Sequence, residues 1–232
     1  MITENNTSNV KTTVFNLIIL DESGSMYDLK KATISGCNET LNVIRAAQKQ
    51  AGDHQRHLVS IYAFQSGSVP SRYLIKNAPV ADVSNLTERD YEPCGCTPLY
   101  DAIGMTLSDL EAVAATHEDA TAVVTIITDG YENSSTEYTG PKVAKMIEAL
   151  KEKGWTFNFI GANIDVEKVS ATLKIDNTMS WNSDEEGTKE MYSKFRSSYT
   201  THMAEMVNED AAIPLATRIE ERKKRSRRFF GK

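Results

Sequence analysis

A continuous apolar run near the start of the chain constrains the fold more than any other feature. Residues 14–20 read Val-Phe-Asn-Leu-Ile-Ile-Leu, and Asn16 is the single polar side chain among them. A strand with one wet face alternates between polar and apolar residues, whereas a strand covered on both faces is apolar throughout. We therefore predict a central strand here, buried between two layers of helices.

Strand and helix patterns alternate along the rest of the chain. Segments rich in β-branched and aromatic residues predict strands at 13–20, 57–65, 71–76, 121–128, 155–161 and 178–181. Apolar residues at helical spacing predict helices at 29–50, 98–115, 141–153 and 165–173, with a final helical region at 183–210. Such alternation is typical of an α/β protein with a doubly wound, Rossmann-like, mostly parallel sheet and helices on both faces. The short linker at 66–70 suits a hairpin instead, and so predicts one antiparallel edge strand.

Chain length and a shift in charge predict one domain with a terminal extension. The 232 residues suffice for one substantial core and are few for two. We predict a flexible N-terminus at 1–11, the folded domain at 12–210 and a basic C-terminal tail at 211–232, because Ala-Ala-Ile-Pro at 211–214 resembles a break. Residues 221–232 hold seven Lys or Arg and one Glu, although the net charge of the chain is −6. A solvated, disordered end is expected for so short a run; only through it would the protein bind nucleic acid, an acidic surface or its own acidic body.

Cysteine usage and the lack of targeting patterns predict a cytoplasmic protein. Cys37, Cys94 and Cys96 are an odd number in a chain large enough to fold without disulfides, which favours a reducing compartment. The apolar run at 14–20 leads into acidic residues rather than a signal-peptide cleavage site, and no segment approaches the length of a membrane span.

The cysteines and histidines show no metal-binding spacing. Cys94-Gly95-Cys96 could suggest redox chemistry or a soft metal, but neither Cys37 nor any histidine is nearby in the sequence to complete such a site. Small packed thiols are therefore the favoured interpretation. The four histidines are assigned no role.

Polar side chains gather where an open parallel sheet binds its ligands, beyond the carboxyl ends of the strands. Asp21, Ser23 and Ser25 follow the first strand, Thr97 opens the helix at 98, and Asp129 follows the strand at 121–128. Because the first three alternate in a turn, they can point toward a common centre. The set is all oxygen and carries negative charge, which selects magnesium, calcium or manganese over zinc or copper. We expect Mg²⁺, whose octahedral shell keeps an open position for an incoming carboxylate.

The order of these residues resembles a known motif. Three sequence segments carry these residues: DESGSM holds Asp21-x-Ser23-x-Ser25, GCTPLYDAI holds Thr97, and TDG holds Asp129. Together they are similar to the metal-ion-dependent adhesion site (MIDAS) of von Willebrand factor type A (vWA) domains. The resemblance, to the intracellular bacterial type, covers residues 12 to 205.

The resemblance implies a doubly wound sheet with one antiparallel edge strand, a Mg²⁺ site at its top, and binding of another protein that supplies an acidic ligand. It implies that Asp21 and Asp129 hold the metal or hydrogen-bond its shell, and that Ser23, Ser25 and Thr97 coordinate it. One departure is Cys96, since similar intracellular domains commonly have glycine before the threonine.

Each segment of the motif, taken alone, also has an interpretation that requires no metal. Asp and Ser can cap helices, Thr97 before Pro98 suits an N-cap, and Asp129-Gly130 suits a turn. The combination favours a metal site over three separate caps and turns.

The main functional alternative is a Mg²⁺-dependent phosphatase or phosphotransferase with Asp21 as nucleophile. That chemistry needs a second acid near Asp21 as general acid and a lysine from a later loop. Glu22, directly adjacent, would face elsewhere, and Ser23 has the wrong chemistry. No G-x-G-x-x-G or P-loop follows a strand, and no G-x-S-x-G elbow occurs, so nucleotide binding and serine hydrolysis are not indicated. We therefore predict a metal-dependent protein-interaction module rather than an enzyme.

Overall fold

The computed structural model describes residues 11–231. The flexible N-terminus predicted for 1–11 lies outside this range apart from Lys11. Within the described residues the strands are β1 (Thr12–Asp21), β2 (Gln55–Ser66), β3 (Pro70–Pro79), β4 (Ala120–Thr128), β5 (Thr156–Gly161) and β6 (Asn177–Ser180). The α-helices are α1 (Lys30–Ala51), α2 (Leu99–Ala114), α3 (Gly140–Lys151), α4 (Val166–Leu173), α5 (Glu185–Val207) and α6 (Leu215–Ser226).

The strands form one sheet in the order β3-β2-β1-β4-β5-β6. β1 lies between β2 and β4 and is parallel to both, with Leu17 beside Ser60 on one side and Val124 on the other. β5 and β6 continue the parallel pairing, and only β3 pairs antiparallel, with β2. This order confirms the predicted doubly wound α/β sheet with one antiparallel edge strand.

β1 is buried along its whole length because helices cover both faces of the sheet. Val14, Ile18 and Leu20 join the core beneath α1 and α5, whereas Phe15, Leu17 and Ile19 join the core beneath α2, α3 and α4. Full burial of one such side chain contributes about 1.5–3 kcal/mol. The apolar run at residues 14–20 therefore lies at the centre of the sheet, as its sequence predicts.

The buried amide of Asn16 forms hydrogen bonds to two neighbouring elements and to the Val14 carbonyl of its own strand. Its oxygen accepts a hydrogen bond from the Tyr199 hydroxyl at 2.6 Å, and its nitrogen donates to the carbonyl of Leu58 at 3.0 Å. An amide without partners would be costly in this apolar layer. Asn16 thus joins β1 to its neighbour β2 and to α5.

The C-terminal segment differs from the sequence expectation. Residues 215–226 form α6, in which Arg218, Arg222 and Arg225 are buried and paired with carboxylates. The expected solvated, disordered end is wrong for this helix, because a count of basic residues does not reveal that each arginine has an acidic partner. The predicted division of the chain at 210 stays a prediction.

None of the helices in the described part of the chain combines the length and the apolar character needed to cross a membrane.

Candidate metal centre

The two candidate aspartates lie at the same edge of the sheet. Asp21 is the last residue of β1, and Asp129 directly follows β4. The two strands are parallel neighbours, with Leu20 beside Ile127 at their ends. Their carboxyl ends therefore bring both carboxylates into the crevice where such sheets bind ligands.

Hydrogen bonds join four of the five candidate residues into one network. The Ser25 hydroxyl donates to Asp129 Oδ1 at 2.6 Å, and the hydroxyls of Ser23 and Ser25 are 3.1 Å apart. The backbone N–H of Ser23 donates to Asp21 Oδ1 at 2.7 Å, which holds the turn after β1 in shape. The loop from 21 to 25 and the end of β4 thus share one polar centre.

Thr97 lies beside this network. Its hydroxyl oxygen is 3.4 Å from the position that a Cβ on Gly130 would occupy, next to Asp129. The backbone of Thr97 is held by Asn133, whose side-chain oxygen accepts from the Thr97 N–H at 2.8 Å and whose own N–H donates to the Thr97 carbonyl at 3.2 Å. The structure therefore brings all five sequence-predicted residues to one place.

The hydrogen bonds of the described residues support a local turn at Asp21 but not a helix cap by Ser23 or Thr97. Ser23 precedes the 3₁₀ turn Gly24–Leu29, and its side chain makes no capping hydrogen bond there. The N-cap of α2 is Pro98 rather than Thr97, again without a side-chain cap. Instead, Glu132 accepts a hydrogen bond from the Tyr100 N–H at 2.9 Å in the first turn of α2, which leaves the Thr97 hydroxyl free of that role.

The electrostatics of the centre favour a cation. Asp21 and Asp129 are both buried, and their hydrogen-bond donors are neutral hydroxyl and backbone groups. Burial raises the pKa of Asp21 to about 6, against the hydrogen bonds from Thr128 and Ser23, and the charge of Asp129 raises it further. Burial also raises the pKa of Asp129. Buried carboxylates are ordinarily paired or bound to a metal, and a divalent ion would favour the charged form of both.

The donor set fits a hard cation. It consists of two carboxylates and three hydroxyls, all of them oxygen ligands of the kind that magnesium, calcium and manganese take. In the part of the chain that the structure describes, no group of three or more His, Cys, Asp or Glu side chains comes together to hold a metal. A metal bound at this edge would therefore depend on the three hydroxyls as well as on the two carboxylates.

The sequence did not reveal an ion pair between Glu22 and Arg72 that holds the loop after β1. Glu22 is fully buried and accepts two hydrogen bonds from the guanidinium of Arg72, at 2.7 and 3.2 Å. It also accepts from Gln65 Nε2 at 2.9 Å and from the backbone N–H of Glu92 at 2.5 Å. Glu22 therefore ties the loop after β1 to the β2–β3 hairpin. Its partner is fifty residues away in the sequence, so no local signal could have identified it.

Replacing Glu22 with glutamine is expected to lower the free energy of unfolding by about 1–3 kcal/mol, because the Arg72 charge loses its carboxylate. The cost is moderated by the Arg72 side chain, which is 30% exposed and can recover some hydration. Urea denaturation measures the change. Glu92→Gln is the matched control, since that side chain is exposed, and equal stability of the two variants would contradict the role given to Glu22.

Comparison with known proteins finds a match only among solved structures; no protein-family model matches, and no curated protein does. The pilus adhesin SpaC from Lactobacillus rhamnosus GG, in an open conformation, aligns with 13% identity and a TM-score of 0.58, over 84% of this chain and 31% of that chain. Proximal thread matrix protein 1 from the mussel byssus aligns with 12% identity and a TM-score of 0.56, over 82% and 47%. The PilB minor pilin from Streptococcus sanguinis aligns with 13% identity and a TM-score of 0.54, over 83% and 62%.

Likeness at such low identity concerns the fold alone. The chain spans less than two thirds of the length of each of these proteins. Together with the sheet order and the antiparallel edge strand, the matches show a doubly wound α/β fold shared with these proteins. This is the fold that the resemblance in the sequence implies.

Proposed function

We propose that the chain is a metal-dependent protein-interaction module. Its centre binds Mg²⁺ through Asp21, Ser23, Ser25, Thr97 and Asp129, and a carboxylate of a partner protein completes the coordination. The observation that carries the proposal is the pair of buried carboxylates at the carboxyl edge of the sheet, joined through the Ser23 backbone N–H and the hydroxyls of Ser23 and Ser25 and, among the described residues, without a basic partner. The doubly wound α/β fold supports it, and one of the similar structures is a pilus adhesin.

The five side chains of the centre contribute two kinds of oxygen ligand. Asp21 and Asp129 supply the negative charge, while Ser23, Ser25 and Thr97 supply neutral oxygens. When bound, the cation supplies positive charge and an open coordination position for an acidic group. Ser25 is exposed, which puts the open side of the centre at the protein surface. Calcium and manganese accept the same oxygen donors and are the alternatives to magnesium.

Addition of Mg²⁺ is expected to raise the Tm of the wild-type protein, because a ligand that binds only the folded state stabilises it, by about 2.7 kcal/mol at one hundred times its Kd. Asp21→Ala should abolish the rise without unfolding the protein, since it removes a charged donor. Differential scanning fluorimetry with Mg²⁺, Ca²⁺ and Mn²⁺ measures both effects.

Asp28→Ala is the matched control, because Asp28 is an exposed carboxylate a few residues further along the chain. It should leave the response to metal unchanged. An undiminished response in Asp21→Ala would remove the site assignment.

An affinity pull-down tests partner binding. Wild type in Mg²⁺ should retain a protein that is lost both in chelator and with Asp21→Ala.

We propose no catalytic role for these residues, and turnover of a generic phosphate ester that disappears in Asp21→Asn would contradict this. We also propose a reducing, cytoplasmic location, which the three free cysteines support.

A further inference from the structure

The three cysteines occupy different environments. Cys37 on α1 is fully buried, and its sulfur is 3.5 Å from the Tyr192 hydroxyl. Cys94 is half-buried, and Cys96 is exposed. The prediction of packed thiols is therefore wrong for Cys96, and the two cysteines nearest the metal centre are the accessible ones.

The chain turns sharply between Cys94 and Cys96. Gly95 has a positive φ of 70°, and a Cβ at this position would lie 2.3 Å from the backbone nitrogen of Gly67. Only glycine fits this close approach. The tip of the β2–β3 hairpin thus rests on the turn that separates the two thiols.

The Cys94 sulfur lies against that hairpin tip. It would be 2.6 Å from a Cβ placed on Gly67, and it is 3.8 Å from the Ser68 hydroxyl. The hydrogen bonds from Ser68 lower the pKa of the Cys94 thiol. Burial, by contrast, raises the pKa of Cys37 to about 11. An accessible sulfur with hydrogen-bond donors and a second thiol two residues away matches the environment of reactive cysteines, whereas a buried one is inert.

Backbone hydrogen bonds connect this tripeptide to the metal loop. The Cys94 N–H donates to the Glu22 carbonyl at 2.8 Å, and the Gly24 N–H donates to the Gly95 carbonyl at 3.1 Å. On the other side, the Cys96 carbonyl accepts from the Ser66 N–H at 3.2 Å. Thr97 follows directly, so any change in the tripeptide acts on a proposed metal ligand and on the loop that carries the serines.

We propose that Cys94 and Cys96 are a redox modification site that closes to a reversible disulfide under a peroxide and weakens the metal centre. The Cys94 thiolate attacks one oxygen of the peroxide, the O–O bond breaks, and a sulfenic acid forms as hydroxide leaves. The Cys96 sulfur then attacks the Cys94 sulfur, and the sulfenic oxygen leaves as water with the thiol proton. Two electrons pass from the thiols to the peroxide, and a dithiol reductant restores both thiols.

Ring closure has a structural consequence because the loop is short. A disulfide requires a narrow range of Cα–Cα separation and dihedral angle, so a bridge across one residue must readjust Gly95. That readjustment disturbs the hydrogen bond between Gly24 and Gly95 and shifts Thr97. This second part of the inference rests on the proposed metal function, whereas disulfide formation does not.

Intact mass spectrometry of the full chain tests the disulfide. After treatment with a small excess of hydrogen peroxide and alkylation in denaturant, the wild type should retain one alkylated cysteine, Cys37, and the peptide containing residues 94 and 96 should have lost two hydrogens. Dithiothreitol should restore all three thiols. Cys37→Ser should still close the bridge, and Cys94→Ser or Cys96→Ser should not. Oxidation of Cys37 at the same rate, or higher oxides on Cys94 in place of the bridge, would overturn the assignment.

The response of Tm to Mg²⁺ tests the effect on the metal centre. The oxidised wild type should need at least tenfold more Mg²⁺ than the reduced wild type for the same rise in Tm, and the Cys94→Ser/Cys96→Ser variant should show no difference after peroxide. A bridge that forms without this shift would overturn redox control of the centre. If the reduced protein shows no response to Mg²⁺, the proposed function fails, and the mass result alone then decides whether the cysteines form a modification site.

Discussion

Replacing Asp119 with alanine is expected to lower the free energy of unfolding by about 3–5 kcal/mol, the range for removing one partner of a buried ion pair. The Asp119 side chain is fully buried before β4 and accepts hydrogen bonds from Arg218 at 2.5 Å and Arg222 at 2.7 Å. It also accepts one from the Thr12 hydroxyl at 2.5 Å, at the start of β1. Without its carboxylate, two buried guanidinium groups would lose a charged partner at once.

The expected loss is large because the remaining acid cannot compensate. Asp119, Glu209, Arg218, Arg222 and Arg225 form a cluster, which we call the arginine cluster. Glu209 already pairs with Arg222 and, at 2.8 Å, with Arg225. Burial alone would raise the pKa of Asp119, but the hydrogen bonds from Arg222, Thr12 and Arg218 hold it below its usual value. The cluster therefore depends on a charged Asp119.

Urea denaturation of Asp119→Ala and of the milder Asp119→Asn measures the loss at neutral pH. Glu221→Ala is the matched control, because Glu221 also lies beside a basic residue of α6, Lys224, but that pair is exposed on both sides. Exposed pairs contribute about 0–1 kcal/mol. If Asp119→Asn and Glu221→Ala were equally stable, the arginine cluster would not fasten α6 to the body.

The sheet was predictable because its signals are local. A strand buried on both faces needs a continuous apolar run, so residues 14–20 predict the centre of the sheet without knowledge of any partner. The hairpin depends on the short linker at 66–70, which is also local. The convergence of Asp21 and Asp129 needs one further step, because Asp21 ends β1, Asp129 directly follows β4, and the sheet order makes these two strands neighbours.

The ion pairs of Glu22 and Asp119 were not predictable, because each joins residues that are distant in the sequence. Glu22 pairs with Arg72, and Asp119 pairs with Arg222 across more than one hundred residues. A basic run such as residues 221–232 is identical in composition whether its side chains meet water or carboxylates. Only the tertiary fold decides between these two environments. It places the first half of this basic run in helix α6, although the composition of the run is typical of a solvated tail.

Packing below α6 completes its attachment and buries a histidine. The Phe229 ring contacts His202 at a centroid distance of 5.1 Å and Tyr199 at 5.8 Å. His202 Nε2 lies 3.4 Å from the Thr156 hydroxyl. Burial lowers the pKa of His202 to about 3, and the charge of Arg225 lowers it further. The imidazole is therefore held neutral in the folded protein.

Acidification is expected to destabilise the protein through His202. The unfolded chain takes up a proton near the ordinary histidine pKa of about 6.5, whereas the folded protein takes it up only near pH 3. Between these values the unfolded state binds more protons, so stability falls as the pH is lowered below about 6.5. A pH of 4.5 lies two units below the unfolded-state pKa and still above the folded-state pKa. At this pH His202 therefore lowers the free energy of unfolding by about 3 kcal/mol.

Comparison of His202→Gln with wild type isolates this contribution. The carboxylates titrate alike in both proteins, so their effects cancel in the difference between the two stability curves. Urea denaturation from pH 7.5 to 4.5 should show the wild type losing about 3 kcal/mol more than His202→Gln. His54→Gln is the matched control, because His54 is exposed, and it should follow the wild-type curve. Parallel curves for wild type and His202→Gln would mean that His202 takes up its proton in the folded state, which the contacts of Phe229 and the neighbouring charge of Arg225 oppose.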